Sequence, residues 1–118
     1  MNKILLQDVR SYIMDSYGLS DVETMKVLNT YGQVLGETLS QLKESVNNKN
    51  NAVAGRHAHS LKGALLNLGL AELAHEASRL EKEFHKGVEE EHFQRVDNFF
   101  VILQDIATTI QVGSSEIQ

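Results

Sequence analysis

Reactive side chains are sparse in this chain of 118 residues, which has five histidines and no cysteine. Thiol nucleophiles, disulfides and thiolate zinc sites are thereby excluded, leaving imidazole as the main candidate nucleophile. One histidine stands apart. His59 lies in the run Gly55-Arg56-His57-Ala58-His59-Ser60-Leu61-Lys62-Gly63, with a glycine one helical turn before it and another one turn after. At about 100° per residue it points about 160° away from Leu61, whose apolar stripe through Leu65 and Leu68 faces a core. A glycine inside a helix costs about 1 kcal/mol relative to alanine, so two on one face need a reason. They lie opposite the apolar stripe, and the expected reason is access of a bulky partner to the imidazole. Close packing against a neighbouring helix is the alternative.

Arg56 and Lys62, three residues to either side, bring two cations to the same face. An exposed neutral imidazole is a competent nucleophile near pH 7, and cations beside it suit a phosphoryl group or another anion. The ring also needs one nitrogen held as N–H so that the other is free. Glu81 can supply that hydrogen bond. His59 stands ten residues before Gly69 and Glu81 twelve after it, so antiparallel helices rising from that turn bring the two to about the same height. Spacing alone leaves Glu81 either as this partner or as a solvated carboxylate.

The elements that would hold these groups are helices. There is no proline, the strongest helix breaker, and Gly18, Gly69 and Gly87 punctuate the apolar periodicity. A short first helix is expected over Ile4 to Tyr17, with Leu5, Val9, Ile13 and Met14 on one face. Ser20 with Glu23 forms a capping-box pattern ahead of a stripe through Met25, Leu28, Tyr31, Leu35, Leu39, Leu42 and Val46. The asparagine-rich run 47–51 is a turn, in which Asn50 or Asn51 can cap a third helix over Ala52 to Leu68. That helix buries Val53, His57 or Ala58, Leu61, Leu65 and Leu68. A fourth helix spans Ala71 to Lys86 through Leu73, Ala77, Leu80 and Phe84. A fifth starts near Val88, with a stripe of Phe93, Val96, Phe100, Leu103, Ala107 and Ile110, and leaves a frayed tail over 112–118. This pattern predicts a single all-α domain over 1–118: an antiparallel four-helix bundle with its core over about 20–111 and the short N-terminal helix as a lid.

Net charge of −5 and a pI near 5.5 argue against nucleic acid or an anionic membrane as the main partner. No apolar run is long enough to span a bilayer, and 1–8 lacks the apolar core and cleavage site of a signal peptide, so the expectation is a cytoplasmic monomer. The remaining histidines make a poor metal set. His57 and His59 point to different helix faces. His85 and His92 flank Gly87 near Glu89, Glu90 and Glu91, but only Glu72-Leu73-Ala74-His75 has the Glu-x-x-His spacing of bundle metal sites. No metal and no cofactor site is expected; His57 is read as a core-edge residue and His75, His85 and His92 as surface residues. Ser60 and Ser78 have no evident partners for hydrolytic catalysis.

The segment Ala58-His59-Ser60-Leu61-Lys62-Gly63, followed by Gly69, Leu73, Ala77, Leu80 and Glu81, resembles the signature of histidine-containing phosphotransfer (HPt) domains. The resemblance covers the third and fourth helices closely and agrees with the bundle pattern of the whole chain. It implies a four-helix bundle that carries phosphoryl groups between receiver-domain aspartates in two-component phosphorelays. Carried over by position, it makes His59 the phosphoacceptor, with Lys62 offsetting phosphoryl charge and Glu81 beside the imidazole. Gly63 then clears the approach of the partner, with Gly55, Arg56 and Leu66 completing the docking face. The implied partners are response-regulator receiver domains or a hybrid sensor histidine kinase, with Mg²⁺ supplied by the receiver. Two features depart from the family pattern: Ala64, Leu65 and Leu66 follow the Lys-Gly pair where a small polar residue is common, and Gly55 has no counterpart. A phosphate-binding loop of the G-x-x-x-x-G-K-[ST] type is absent from the sequence, so autophosphorylation from ATP is not expected. The competing reading is a docking adaptor that binds a receiver or kinase without transferring phosphate.

Overall fold

Capping chemistry sets the helix starts. In the computed structural model, which describes residues 6–116, the chain forms α1 (Leu6–Tyr17), α2 (Asp21–Asn47), α3 (Asn51–Asn67), α4 (Ala71–Phe84) and α5 (Glu90–Glu116). The capping box ahead of α2 is complete: Glu23 N–H donates to Ser20 Oγ (3.2 Å) and Ser20 N–H to Glu23 Oε1 (2.9 Å). Asn50 caps α3, its Oδ1 accepting from Val53 N–H at 3.3 Å. Each satisfies an N–H that the helix itself leaves without a partner. Leu5, expected on the inner face of the first helix, lies outside the described residues.

The buried residues follow the expected stripes on α2, α3 and α4, down to Leu28, Leu35, Leu61, Leu65, Leu80 and Phe84 at zero exposure. α2 packs against both α3 and α5, and α3 packs against α4. α1 leans on α2 and α5 through Val9 and Ile13 and also reaches the α3–α4 turn. There Tyr17 Oη donates to the carbonyl of Asn67 at 3.3 Å. The result is an all-helical bundle of four antiparallel helices with a shorter fifth at the N-terminus, and no strand among the described residues.

Three local expectations are corrected. α5 continues to Glu116, past the expected frayed tail from 112, because a single Gly113 with Ser114 and Ser115 costs too little to stop a helix that no proline breaks. α4 stops at Phe84, since His85 and Lys86 form the turn into Gly87, whose φ is +125°. On α5 the buried face is His92, Val96, Phe99, Leu103, Ile106, Ala107 and Ile110, while Phe93 and Phe100 sit half-buried at its edge. His92 is therefore a buried residue, 3% exposed, where the sequence reading put it on the surface.

Candidate functional site

His59 emerges from the middle of α3 on the face opposite Leu61, and its side chain is 68% exposed. Its Nδ1 lies 3.0 Å from Glu81 Oε2 on α4. A carboxylate only accepts at neutral pH, so Nδ1 carries the ring proton and Nε2 keeps its lone pair, directed away from Glu81. Glu81 is the half-buried member of the pair, its side chain 22% exposed. It is held by α4 at the level of His59 because both helices rise from the turn at Gly69, whose φ of +77° suits glycine.

The surroundings of the imidazole match the access argument on one side. Gly63 is exposed, and a β-carbon built there meets no heavy atom within 4 Å. Leu66, one turn further, is 47% exposed. Arg56 is exposed and Lys62 half-buried. On the other side the expectation fails: Gly55 is buried. The helix wheel places Gly55 and Lys62 on the side of α3 that turns toward α4, about 120° and 100° from Leu61, so it belongs to no open docking face. A β-carbon at Gly55 also meets nothing within 4 Å, so tight packing does not require glycine there either.

The other histidines are elsewhere. His57 points to the α2 side of α3, lining a shallow cleft with Gln41, Glu44, Ser45 and Asn48. Burial, with the charge of Arg56, holds it below the ordinary imidazole range. His75 and His85 are exposed. Buried His92 packs edge-on against Phe84, ring centroids 5.2 Å apart.

His92 also belongs to a group with Glu83 and Glu91, whose potential ligand atoms lie within 4.8 Å of one another. The hydrogen bonds argue against a metal there. Glu89 N–H donates to His92 Nδ1 at 2.9 Å, which uses the lone pair of the neutral ring and leaves the proton on Nε2. That proton, not a lone pair, faces Glu83 Oε1 at 3.4 Å. Arg95 already donates to Glu83 and, at 3.0 Å, to Glu76. The group is a helix cap joined to an ion-pair network that ties α5 to α4; the sequence signal for it was His92 three residues after Glu89, the spacing of a capping box.

Fold and site together define a class: a helical bundle that presents an oriented, solvent-facing histidine from one helix and its carboxylate partner from the next. The family model of the Hpt domain matches residues 26–111, and the chain belongs to that family. Comparison with curated proteins and with solved structures returned no match. Membership implies histidine phosphotransfer in phosphorelay signalling, and Hpt domains interact with receiver domains and kinases of two-component systems. No helix among the described residues is long and apolar enough to cross a membrane.

Proposed function

We propose that this domain is a phosphorelay intermediate that accepts a phosphoryl group on His59 from the aspartyl phosphate of one receiver domain and passes it to another. The observation that carries the reading is the 3.0 Å contact between His59 Nδ1 and Glu81 Oε2, on a histidine otherwise open to solvent. In the forward step the Nε2 lone pair attacks phosphorus in line, the P–O bond to the aspartyl carboxyl breaks, and aspartate leaves as a carboxylate. The Nδ1 proton stays in place, so the ring gains positive charge as the N–P bond forms. Glu81 offsets that charge, and Lys62 lies one turn along the helix, where it can offset the charge of the phosphoryl oxygens.

Gly63 and Leu66 provide an unobstructed, partly apolar contact for the receiver, with Arg56 at its edge. The chain positions a nucleophile and a cation; the receiver brings the divalent metal, Mg²⁺, and this chain is expected to bind no cofactor. It acts in the cytoplasm as a monomer and is not an ATP-dependent kinase by itself. The test mixes the protein and its His59→Gln variant with phosphorylated receiver domains of the same organism and Mg²⁺. Acid-labile, base-stable label is expected on the wild type alone. Equal labelling of the variant would remove His59 from the role, and binding without any label would leave a docking adaptor.

A further inference from the structure

The distribution of paired and unpaired cations is uneven over the molecule. Of the lysines and arginines in the described residues, Arg10 pairs with Asp21 (2.7 Å), Lys43 with Asp97 (3.5 Å), Arg79 with Glu76 (3.2 Å), and Arg95 with Glu76 and Glu83. Six have no ion-pair partner among the described residues: Lys26, Lys49, Arg56, Lys62, Lys82 and Lys86. Four of these six lie on α3 and α4, the helices that carry His59 and Glu81, or just past the end of α4. Arg56 and Lys62 stand one turn to either side of it on α3, a helix that contains no acidic residue. Lys82 follows Glu81 on α4, and Lys86 lies just past the C-terminal end of that helix; both are exposed. Three of the four acids of α4 are turned elsewhere, Glu81 to His59 and Glu76 and Glu83 to Arg95, and Glu72 stands in the first turn of the helix, well short of Lys82.

The chain carries a net charge of −5, yet α3 itself brings two cations and no acid to the imidazole. Neighbouring residues rise by about 1.5 Å along a helix, so Arg56, Lys62 and Lys82 stand within about 5 Å of the height of His59 along the bundle axis. Lys86 stands further along, and the four fields overlap most in dilute salt, where the Debye length grows from about 10 Å at 0.1 M to about 30 Å at 0.01 M.

We propose that Arg56, Lys62, Lys82 and Lys86 form a cationic collar that steers a carboxylate-rich protein surface onto His59. The identity of that surface rests on the phosphorelay reading: a receiver presenting an aspartyl phosphate, with oxygen ligands for Mg²⁺ around it, is anionic at the point of contact. No side-chain hydrogen bond or ion pair joins Lys82 or Lys86 to His59 or Glu81. Their contribution is to the association rate, which complementary charge raises and salt suppresses.

The experiment measures association of a fluorescently labelled receiver domain by stopped flow at ionic strengths from about 50 to about 300 mM, alongside phosphoryl transfer to His59. The variants are Lys82→Gln/Lys86→Gln and a control, Lys26→Gln/Lys49→Asn, which removes the two unpaired cations distant from His59; Asn suits the φ of +54° at position 49. The collar variant should associate about fivefold more slowly at low salt, with the difference closing to under about twofold at high salt and the control unchanged. Equal effects of the two variants, or none, overturn the collar. Receivers that bind with the collar's salt dependence yet leave His59 unlabelled uphold the collar and sink the phosphorelay reading. Transfer at one rate into every variant does the reverse, and absence of any association overturns both.

Discussion

Glu81 does more for His59 than hold it still. With Nδ1 donating to a carboxylate, the ring is fixed in the tautomer whose Nε2 is free, and on the proposed phosphorelay reading a negative charge stands ready for the imidazolium character of a phosphorylated ring. Those two contributions separate on substitution. Glu81→Gln keeps an acceptor oxygen in the same place but removes the charge, whereas Glu81→Ala removes both. Transfer from a saturating phosphoreceiver is expected to slow about tenfold in the glutamine variant and about a hundredfold in the alanine variant, the latter at the low end of the range typical of positioned acid–base groups. Single-turnover kinetics check this, and an alanine variant as fast as wild type would reduce Glu81 to a surface carboxylate.

Residue counts about Gly69 made the common height of the two side chains legible, while spacing alone left open whether Glu81 turns to the ring. Gly55 was misread for a related reason. A helix wheel drawn from the apolar stripe shows where the core lies but not which flank the next helix covers. As Gly55 is buried, has no positive φ and leaves a β-carbon clear of every heavy atom within 4 Å, Gly55→Ala should stabilise the fold by up to about 1 kcal/mol. A urea midpoint that falls would show that the backbone there needs glycine after all.

Elements differ in how plainly their ends are written. Ser20 with Glu23, and Asn50, are caps whose local chemistry is complete within four residues, and both stand in the structure as the sequence has them. The start of α5 was harder: its acids suit a helix N-terminus, but His92 reads as a surface residue, whereas it turns inward to accept from Glu89 N–H. What joins α5 to α4 beside the apolar contacts is the network of Arg95 with Glu83 and Glu76.

The hydrogen bond from Arg95 holds the Glu83 carboxyl below its ordinary value of 4.5, against the opposing effect of burial. Between the folded and unfolded values the unfolded chain binds more protons, so stability rises with pH there. The contribution is fully present above about 4.5 and is lost as pH falls through the lower folded value. Its size is modest, as both side chains are about one-third exposed. Glu83→Gln should therefore lower the urea midpoint modestly at pH 7 and flatten its decline between about pH 5 and pH 3, the two proteins converging in acid. Parallel pH profiles for the two proteins would count against the network as a stabilising link.

At the scale of the whole molecule, the four-helix core was readable from periodicity and the absence of proline, but the seat of α1 was not. Its placement depends on a meeting of distant residues that no local pattern announces: Tyr12 lies against Gly69, and Tyr17 donates to the Asn67 carbonyl. Asn67 in turn donates from Nδ2 to Tyr31 Oη at 2.8 Å, so α1, α2 and the end of α3 are linked beside the turn that sets the level of His59 and Glu81. Gly69 is therefore constrained twice. Its φ of +77° is costly for any residue with a β-carbon, and such a carbon would come within 2.5 to 2.8 Å of the Tyr12 ring.

The two costs are separable by a double-mutant cycle. Gly69→Ala alone should destabilise by about 2–4 kcal/mol, since the backbone strain adds to displacement of the ring and with it α1. In a Tyr12→Ala background the collision is gone, and the same substitution should cost only about 1 kcal/mol, the part owed to φ. Equilibrium urea unfolding of the four proteins measures the coupling. A coupling near zero would mean that α1 yields freely at this contact, and the turn that spaces His59 and Glu81 would owe its shape to the glycine backbone alone.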